Sequence, residues 1–331
     1  MSDFPTVKVA AVQAAPVFLN LEATVDKTCR LIDEAAGKGA KVIGFPESFI
    51  PGYPWWIWMD SPLKGMPFYI QLYKNAVEIP SKSIQKLSEA AKRNKVYVCV
   101  SVTEKENASL YLTQLWFGPN GDLLGKHRKF KATNVEKTIW GDGDGSMAPV
   151  FKTEYGNLGG LQCWEHILPL NLAAMGSQNE QIHVASWPSF FPGEGELMGI
   201  RACELCSLYY ALSNQVYVIM SSMIYTDEMR EILADTEFKQ ALMANGYGCT
   251  EIIAPNAEVI AKVPRDEEGF AIADADLNAI IPGKFCTDPT GHYSTPGFLS
   301  LTFDQREHVP VKKIGEQTDH SLSYEQIQAE Q

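Results

Sequence analysis

The stretch VKVAAVQAAP (Val7–Pro16), followed by LEATVDKTCRLIDEAAGKG (Leu21–Gly39) and AKVIGFPES (Ala40–Ser48), decides the fold class. The first piece is a short apolar run rich in Val and Ala, which suits a buried strand. In the second, Leu21, Val25, Cys29, Ile32 and Ala36 recur at three-to-four spacing, giving a helix one apolar face. Gly37 and Gly39 stop that helix, and the third piece is again a short apolar strand, ending at Pro46. Strand, helix and parallel strand in this order make a βαβ unit.

The same texture recurs along the chain. SIQKLSEAAKRNK reads as a helix and VYVCVSVTEKE as a strand, and SLYLTQLWFGPNGDLLGKHRKF reads as two antiparallel strands turning at Pro119-Asn120-Gly121. In the second half LGGLQC, EQIHVASWPS, QVYVIMSSM and EGFAIADADL read as strands. ILPLNLAAMGSQN and GIRACELCSLYYALSN read as helices, and GCTEIIAPNAEVIAKV as a hairpin turning at Pro255-Asn256. The runs FPES (Phe45–Ser48) and WPSF (Trp187–Phe190) fall at equivalent points of the two halves, so the chain is read as one α/β domain with an approximate internal two-fold. Mixed sheets covered by helices follow. That domain is assigned to residues 1–285. Residues 286–331 are assigned to a C-terminal extension, extended or partly disordered over EQTDHSLSYEQIQAEQ, because the composition there is polar and without apolar period.

Composition narrows the function. The 331 residues are 45% hydrophobic and 21% charged, which fits a soluble globular protein with a sizeable core. A net charge of −12 argues against a nucleic acid partner. No apolar run approaches the roughly 18 residues of a membrane span. MSDFPTVKVAAVQ has no basic region ahead of an apolar one, so it does not read as a signal peptide. Seven cysteines at irregular spacing read as free thiols, and the expected compartment is the cytoplasm.

Several residues carry possible chemistry. Cys163 ends an apolar strand and precedes a helix expected to begin near Pro169, so it is a buried thiol, a metal ligand or a nucleophile. A helix N-terminus beside it would lower its pKa, and the Trp164 N–H would be placed to serve an oxyanion. Glu47 is a carboxylate straight after an apolar strand and a proline, where desolvation would raise its pKa towards the range of a general base. GKHRKFKATNVEK (Gly125–Lys137) puts five Lys and Arg side chains beside Glu136, and spacing does not choose among Lys126, Lys129 and Lys131 as one turned inward. His166 raises the question of a cysteine–histidine dyad, though the i+3 side chain on such an elbow is expected to point away. Cys203 and Cys206 form a C-x-x-C pair without a second pair, so zinc is not expected. GDGDGS (Gly141–Ser146) reads as a turn, and GYPWWIWMD (Gly52–Asp60) as a pocket wall, a subunit contact or core. No glycine-rich nucleotide loop is present.

Three segments, FPESFIPGYPWW, GKHRKFKATNVEKTIWGDGDG and GGLQCWEHILPL, resemble in order and separation the three signature blocks of the nitrilase branch of the carbon–nitrogen hydrolases. EQIHVASWPSF and DPTGHYSTPG resemble two further nitrilase blocks, so the similarity runs from about residue 6 to residue 300. The resemblance implies a four-layer α-β-β-α sandwich. It implies Glu47 as general base, Cys163 as nucleophile, Lys129 as charge stabiliser and Glu136 as supporting acid, with Tyr53, Trp164, Trp187 and Pro188 as candidate substrate walls. It further implies hydrolysis of a nitrile to the carboxylic acid and ammonia through a Cys163 thioimidate and thioester. No metal or cofactor is implied, and a homo-oligomer, either a dimer or a longer spiral, is. An amidase, a carbamoylase or a cyanide-converting enzyme would use the same Glu-Lys-Cys set. Trp164-Glu165 after the cysteine favours the nitrilase reading.

Overall fold

A computed structural model describes residues 4–189, 199–243, 247–309, 311, 312, 314, 315, 321 and 323–329. In chain order the strands are β1 (Thr6–Gln13), β2 (Val42–Gly44), β3 (Tyr97–Glu106), β4 (Ser109–Phe117), β5 (Leu123–Arg128), β6 (Phe151–Thr153), β7 (Gly156–Gln162), β8 (Ile182–Trp187), β9 (Tyr217–Ser222), β10 (Glu251–Ile253), β11 (Val259–Lys262) and β12 (Gly269–Asp276). They form two six-stranded sheets, ordered β12-β1-β2-β3-β4-β5 and β6-β7-β8-β9-β10-β11. Read in those directions, both sheets run antiparallel, parallel, parallel, antiparallel, antiparallel. The repeat makes β2 the counterpart of β8, so the prolines at 46 and 188 follow equivalent strands; Phe190 lies outside the described residues.

Period-two alternation along each strand sorts side chains into layers. In β1, Val7, Val9 and Ala11 enter a core between the sheets, where they join Val42, Trp116, Leu158, Val184 and Ile219. Ala10 and Val12 face the other way, into a core with the helices α1 (Leu21–Gly37), α2 (Pro62–Lys74) and α3 (Lys82–Asn94). A third core packs Leu161, Ala185 and Val218 against α4 (Pro169–Gly176) and α5 (Ile200–Asn214). The result is the four-layer α-β-β-α sandwich. Polar side chains tie the layers where the site lies: Ser186 donates to the Phe45 carbonyl at 2.8 Å and Ser221 to the Gly44 carbonyl at 2.9 Å.

Three stretches differ from the sequence reading. α2 was not foreseen because Leu63, Met66 and Ile70 are exposed, which leaves no clean apolar face, and because Gly65 and Pro67 interrupt the pattern. Ser61 caps it and Pro62 starts it, the one signal for a helix there. The short helices α6 (Asp227–Leu233) and α7 (Glu237–Leu242) were also missed, although Thr226 and Thr236 cap them. Beyond α8 (Ile280–Cys286), the tail is helical at α9 (Tyr324–Ala329), which corrects the expectation of extended chain there. No helix among the described residues is long and apolar enough to cross a membrane.

The two sheets approach closely at Gly44. A Cβ built there would lie 2.9 Å from both Val184 Cγ1 and Ile219 Cγ2. Gly44→Ala is therefore expected to lower stability by about 1–3 kcal/mol through overpacking, read as a drop in urea midpoint.

Candidate active site

The residues singled out from the sequence come together through two sharp elbows. The first follows β2, where Ser48 has φ +47° immediately after Glu47. The second follows β7, where Cys163 itself has φ +50°. Such left-handed conformations cost a non-glycine residue about 1–3 kcal/mol and persist where the surroundings enforce them. Hydrogen bonds do so here. The Glu47 amide donates to the Trp187 carbonyl at 3.1 Å, and the Ser48 amide to Ser101 Oγ at 2.8 Å. Ser101 in turn donates a short bond to Gln162 Oε1, which joins the two elbows through one side chain.

The second elbow is also clamped by Glu165. Its Oε2 accepts from the Gln162 amide at 2.9 Å and from His127 Nε2 at 2.7 Å, while Oε1 accepts from the Phe130 amide at 2.8 Å. Burial alone would neutralise both partners, but each holds the other charged, so His127 is lifted above and Glu165 held below its ordinary range. This buried pair fixes the segment carrying Lys129 against the segment carrying Cys163. The sequence set Glu165 apart only as part of the Trp-Glu pair after the cysteine and did not mark His127; the Gln-x-x-Glu spacing of a capping box at 162–165 was the available signal for the clamp.

At the centre, Lys129 Nζ donates to Glu47 Oε1 at 2.9 Å and to Glu136 Oε2 at 2.7 Å. All three side chains are buried, and Cys163 is only 3% exposed. One atom each of Glu47, Glu136 and Cys163 lie within 4.8 Å of one another. Glu136 is held by the Thr133 amide and by the Tyr53 hydroxyl, both at 2.7 Å, and Trp58 Nε1 donates to that hydroxyl at 3.0 Å. The choice spacing left open is settled by the other lysines: Lys126 pairs with Glu104 and Lys131 with Asp142. Arg128 pairs with Glu104 at 2.8 Å and lies over the Tyr111 ring.

Burial lifts the Glu47 carboxyl to about 8, against the pull of the Lys129 ammonium. Desolvation also opposes the ammonium, but Glu136 and Glu47 outweigh it and hold Lys129 well above its ordinary value. The Cys163 thiol is pushed well up by burial and by Glu47, with Lys129 and the Trp164 N–H pulling down. This corrects the expectation that a helix end lowers it. Helix α4 begins six residues later, and Cys163 sits on a short 3₁₀ turn in an apolar surround. Beside the thiol, Glu47 Oε2 is buried with no hydrogen-bond partner among the described residues.

The cluster's two carboxylates and thiol resemble a cation site, but the Lys129 ammonium already occupies the place between the carboxylates. Cys203 is buried in α5, donating to the Gly199 carbonyl at 3.4 Å, and Cys206 is half-buried. His166 points away from the thiol, as expected, with Nδ1 2.6 Å from the Cys163 carbonyl. Trp164 is half-buried and Pro188 buried. The Trp187 ring stacks on His166, 5.2 Å between centroids, and its Nε1 donates to Ser207 at 3.1 Å.

Residues 8–285 match the carbon–nitrogen hydrolase family. The chain is 64% identical to a nitrilase of Bacillus sp. (strain OxB-1), across 99% of this chain and 97% of that protein. It is 42% identical to an aliphatic nitrilase of Rhodococcus rhodochrous, across 92% and 85%. A carbon–nitrogen hydrolase from Helicobacter pylori G27 shares the fold with a TM-score of 0.71 at 17% identity, across 89% of this chain and 97% of that one. The two layered sheets and the near full-length identity agree: this chain belongs to the carbon–nitrogen hydrolases and is a nitrilase-branch enzyme, hydrolysing the carbon–nitrogen bond of nitriles.

Proposed function

We propose that Cys163 performs this hydrolysis as a covalent nucleophile, with Glu47, Lys129 and Glu136 as its proton-handling and charge-stabilising partners. The observation that carries the proposal is the division of labour at Glu47. One carboxylate oxygen is anchored on Lys129, and the other is buried without a partner among the described residues, beside the thiol cluster.

A nitrile carbon is a modest electrophile, so sulfur must attack as thiolate while nitrogen gains a proton. Glu47 takes the thiol proton as sulfur adds to the nitrile carbon and delivers it to nitrogen, giving a thioimidate. A water deprotonated by Glu47 then adds to that carbon, and the tetrahedral adduct expels ammonia to leave a thioester. A second water releases the carboxylic acid and restores the thiol. The balance is one nitrile and two waters giving one acid and one ammonia. Lys129 and the Trp164 N–H supply positive potential to the nitrogen and then to the oxygen. Glu136 holds Lys129 in place. Tyr53, Trp164 and Pro188 border the reacting carbon in this reading, whereas the Trp187 ring supports the elbow from His166.

The assembly reading is a homo-oligomer, supported by the exposed apolar side chains Leu170, Leu205, Tyr209 and Leu212 on α4 and α5. Residues 286–331 are read as an extension from the domain that takes part in subunit contacts, with Phe298 and Leu299 exposed on it. A cytoplasmic setting is supported by the cysteines, all seven present as free thiols.

Cys163→Ala and Glu47→Gln are each expected to lower acid and ammonia production at least 10³-fold with an unchanged circular dichroism spectrum, and retained turnover by Cys163→Ala would exclude the covalent route. Lys129→Met should cost about 2.7–4 kcal/mol in the transition state or more, seen as a fall in kcat. A panel of aliphatic nitriles, dinitriles, arylacetonitriles, cyanide and the matching amides, with product identification, separates nitrile from amide hydrolysis. Acid from the amides but not from the nitriles would overturn the reading.

Alkylation of Cys163 by iodoacetamide should follow the ionisation of its base. Because burial lifts Glu47 to about 8, the rate should rise as pH rises through that region. Lys129 favours the carboxylate form, so Lys129→Met should move the midpoint to higher pH. A midpoint that Lys129→Met leaves unmoved would separate Glu47 from the thiol.

A further inference from the structure

A second buried polar assembly meets the nucleophile elbow at its backbone. His166 Nδ1 lies 2.6 Å from the Cys163 carbonyl, and His166 Nε2 lies 2.9 Å from His183 Nε2. His183 Nδ1 is 2.7 Å from Glu180 Oε1, and the Tyr210 hydroxyl donates to Glu180 Oε2 at 2.6 Å. All four side chains are fully buried. The reaction described above uses none of them.

The packing is built around this chain of contacts. The His183 ring stacks on Tyr210 with centroids 3.8 Å apart, and His166 stacks on Trp187. Gly159 of β7 leaves the space that the Glu180 carboxyl fills, since a Cβ there would collide with Oε1.

Proton counting restricts what the chain can be. A carbonyl only accepts, so His166 Nδ1 carries a hydrogen. Two ring nitrogens cannot meet at 2.9 Å unless one of them carries a hydrogen too. A third is needed between His183 and Glu180. Three protons over two imidazoles and one carboxylate leave the assembly neutral overall, as burial demands. Its dipole runs from the carboxylate at Glu180 towards the carbonyl of Cys163. Desolvation and the neighbouring His183 hold His166 well below its ordinary value.

The Cys163 carbonyl belongs to the same peptide unit as the Trp164 N–H. That N–H lies beside the thiol and pulls its pKa down. A hydrogen bond donated to a peptide oxygen polarises the unit and strengthens its N–H as a donor. We propose that Glu180, His183 and His166 form a relay that polarises the Cys163–Trp164 peptide and so strengthens the Trp164 N–H as donor to charge developing on the bound substrate. The three are positioning residues. The inference rests on the covalent reading of Cys163.

Glu180→Gln tests it with little change of shape. The amide can donate to His183 Nδ1, His183 Nε2 can donate to His166 Nε2, and His166 Nδ1 can still donate to the carbonyl, so every contact survives without the carboxylate charge. Two rates are compared in wild type and variant: nitrile turnover, and alkylation of Cys163 by iodoacetamide. Alkylation displaces iodide from a saturated carbon and places no charge on a former nitrile nitrogen, so it draws on the Trp164 donor only through the ionisation of the thiol, whereas turnover also needs that donor for charge on the substrate. The expected result is a kcat about tenfold lower with KM and the alkylation rate within twofold of wild type. A kcat within twofold of wild type overturns the relay, and so does a parallel loss of turnover and alkylation, which would make Glu180 a support of elbow shape only. Solid-state ¹⁵N spectra of histidine-labelled wild-type enzyme check the protonation pattern independently of any variant's folding: a bare Nδ1 on His166 overturns the relay. Failure of the covalent reading would look different, as a wild-type enzyme that iodoacetamide does not inactivate.

Discussion

Everything at the site is arranged around one buried ammonium. Lys129 lies 2.9 Å from one carboxylate and 2.7 Å from another with almost no solvent contact. Removing the ammonium would leave two buried carboxylates without their counter-charge, at a cost of about 3–5 kcal/mol. With both carboxylates ionised the trio is net negative, so burial favours one added proton, and Glu47 is where it goes. That is the physical origin of a carboxyl lifted to about 8. The arrangement is a proton store beside a thiol that burial keeps protonated.

The cluster exists because two equivalent sheet edges deliver their loops to one place. Glu47 follows β2 and Cys163 follows β7, neighbours in the repeated pattern of the two sheets, and the carbonyl of Trp187 at the end of β8 receives the Glu47 amide. Both elbows hold non-glycine residues at positive φ. The bonds from Ser48 to Ser101 and on to Gln162 hold the two strained turns against each other, so neither relaxes alone.

Most strands were legible because a sheet with both faces covered reads as short apolar runs, as at VIG of β2 and IHVASW of β8. The candidate site was legible in part. Cys163 and Glu47 stand out as chemistry-bearing residues closing apolar strands. Lys129 does not stand out among its basic neighbours, because what distinguishes it is that Lys126, Arg128 and Lys131 are each drawn away to Glu104 or Asp142. Those partners lie 11 to 24 residues away in sequence. The pairing of His127 with Glu165 was invisible for the same reason, since the two partners lie 38 residues apart. The depressed thiol pKa was expected from a helix N-terminus, but desolvation is the larger effect in an apolar pocket.

The elbow at Cys163 thus has charge organised on two sides of one peptide unit. Its side chain belongs to a cluster in which Lys129 is the single cation between two acids, and its carbonyl ends the neutral chain through His166, His183 and Glu180. The first arrangement needs a mobile proton, which is why it is built from groups whose ionisation burial has shifted. The second needs a fixed dipole, which is why its two imidazoles are locked by ring stacking and each of its members is bonded at both ends. The proposed reaction uses both, because a movable proton makes the nucleophile and a preorganised donor receives the charge it creates.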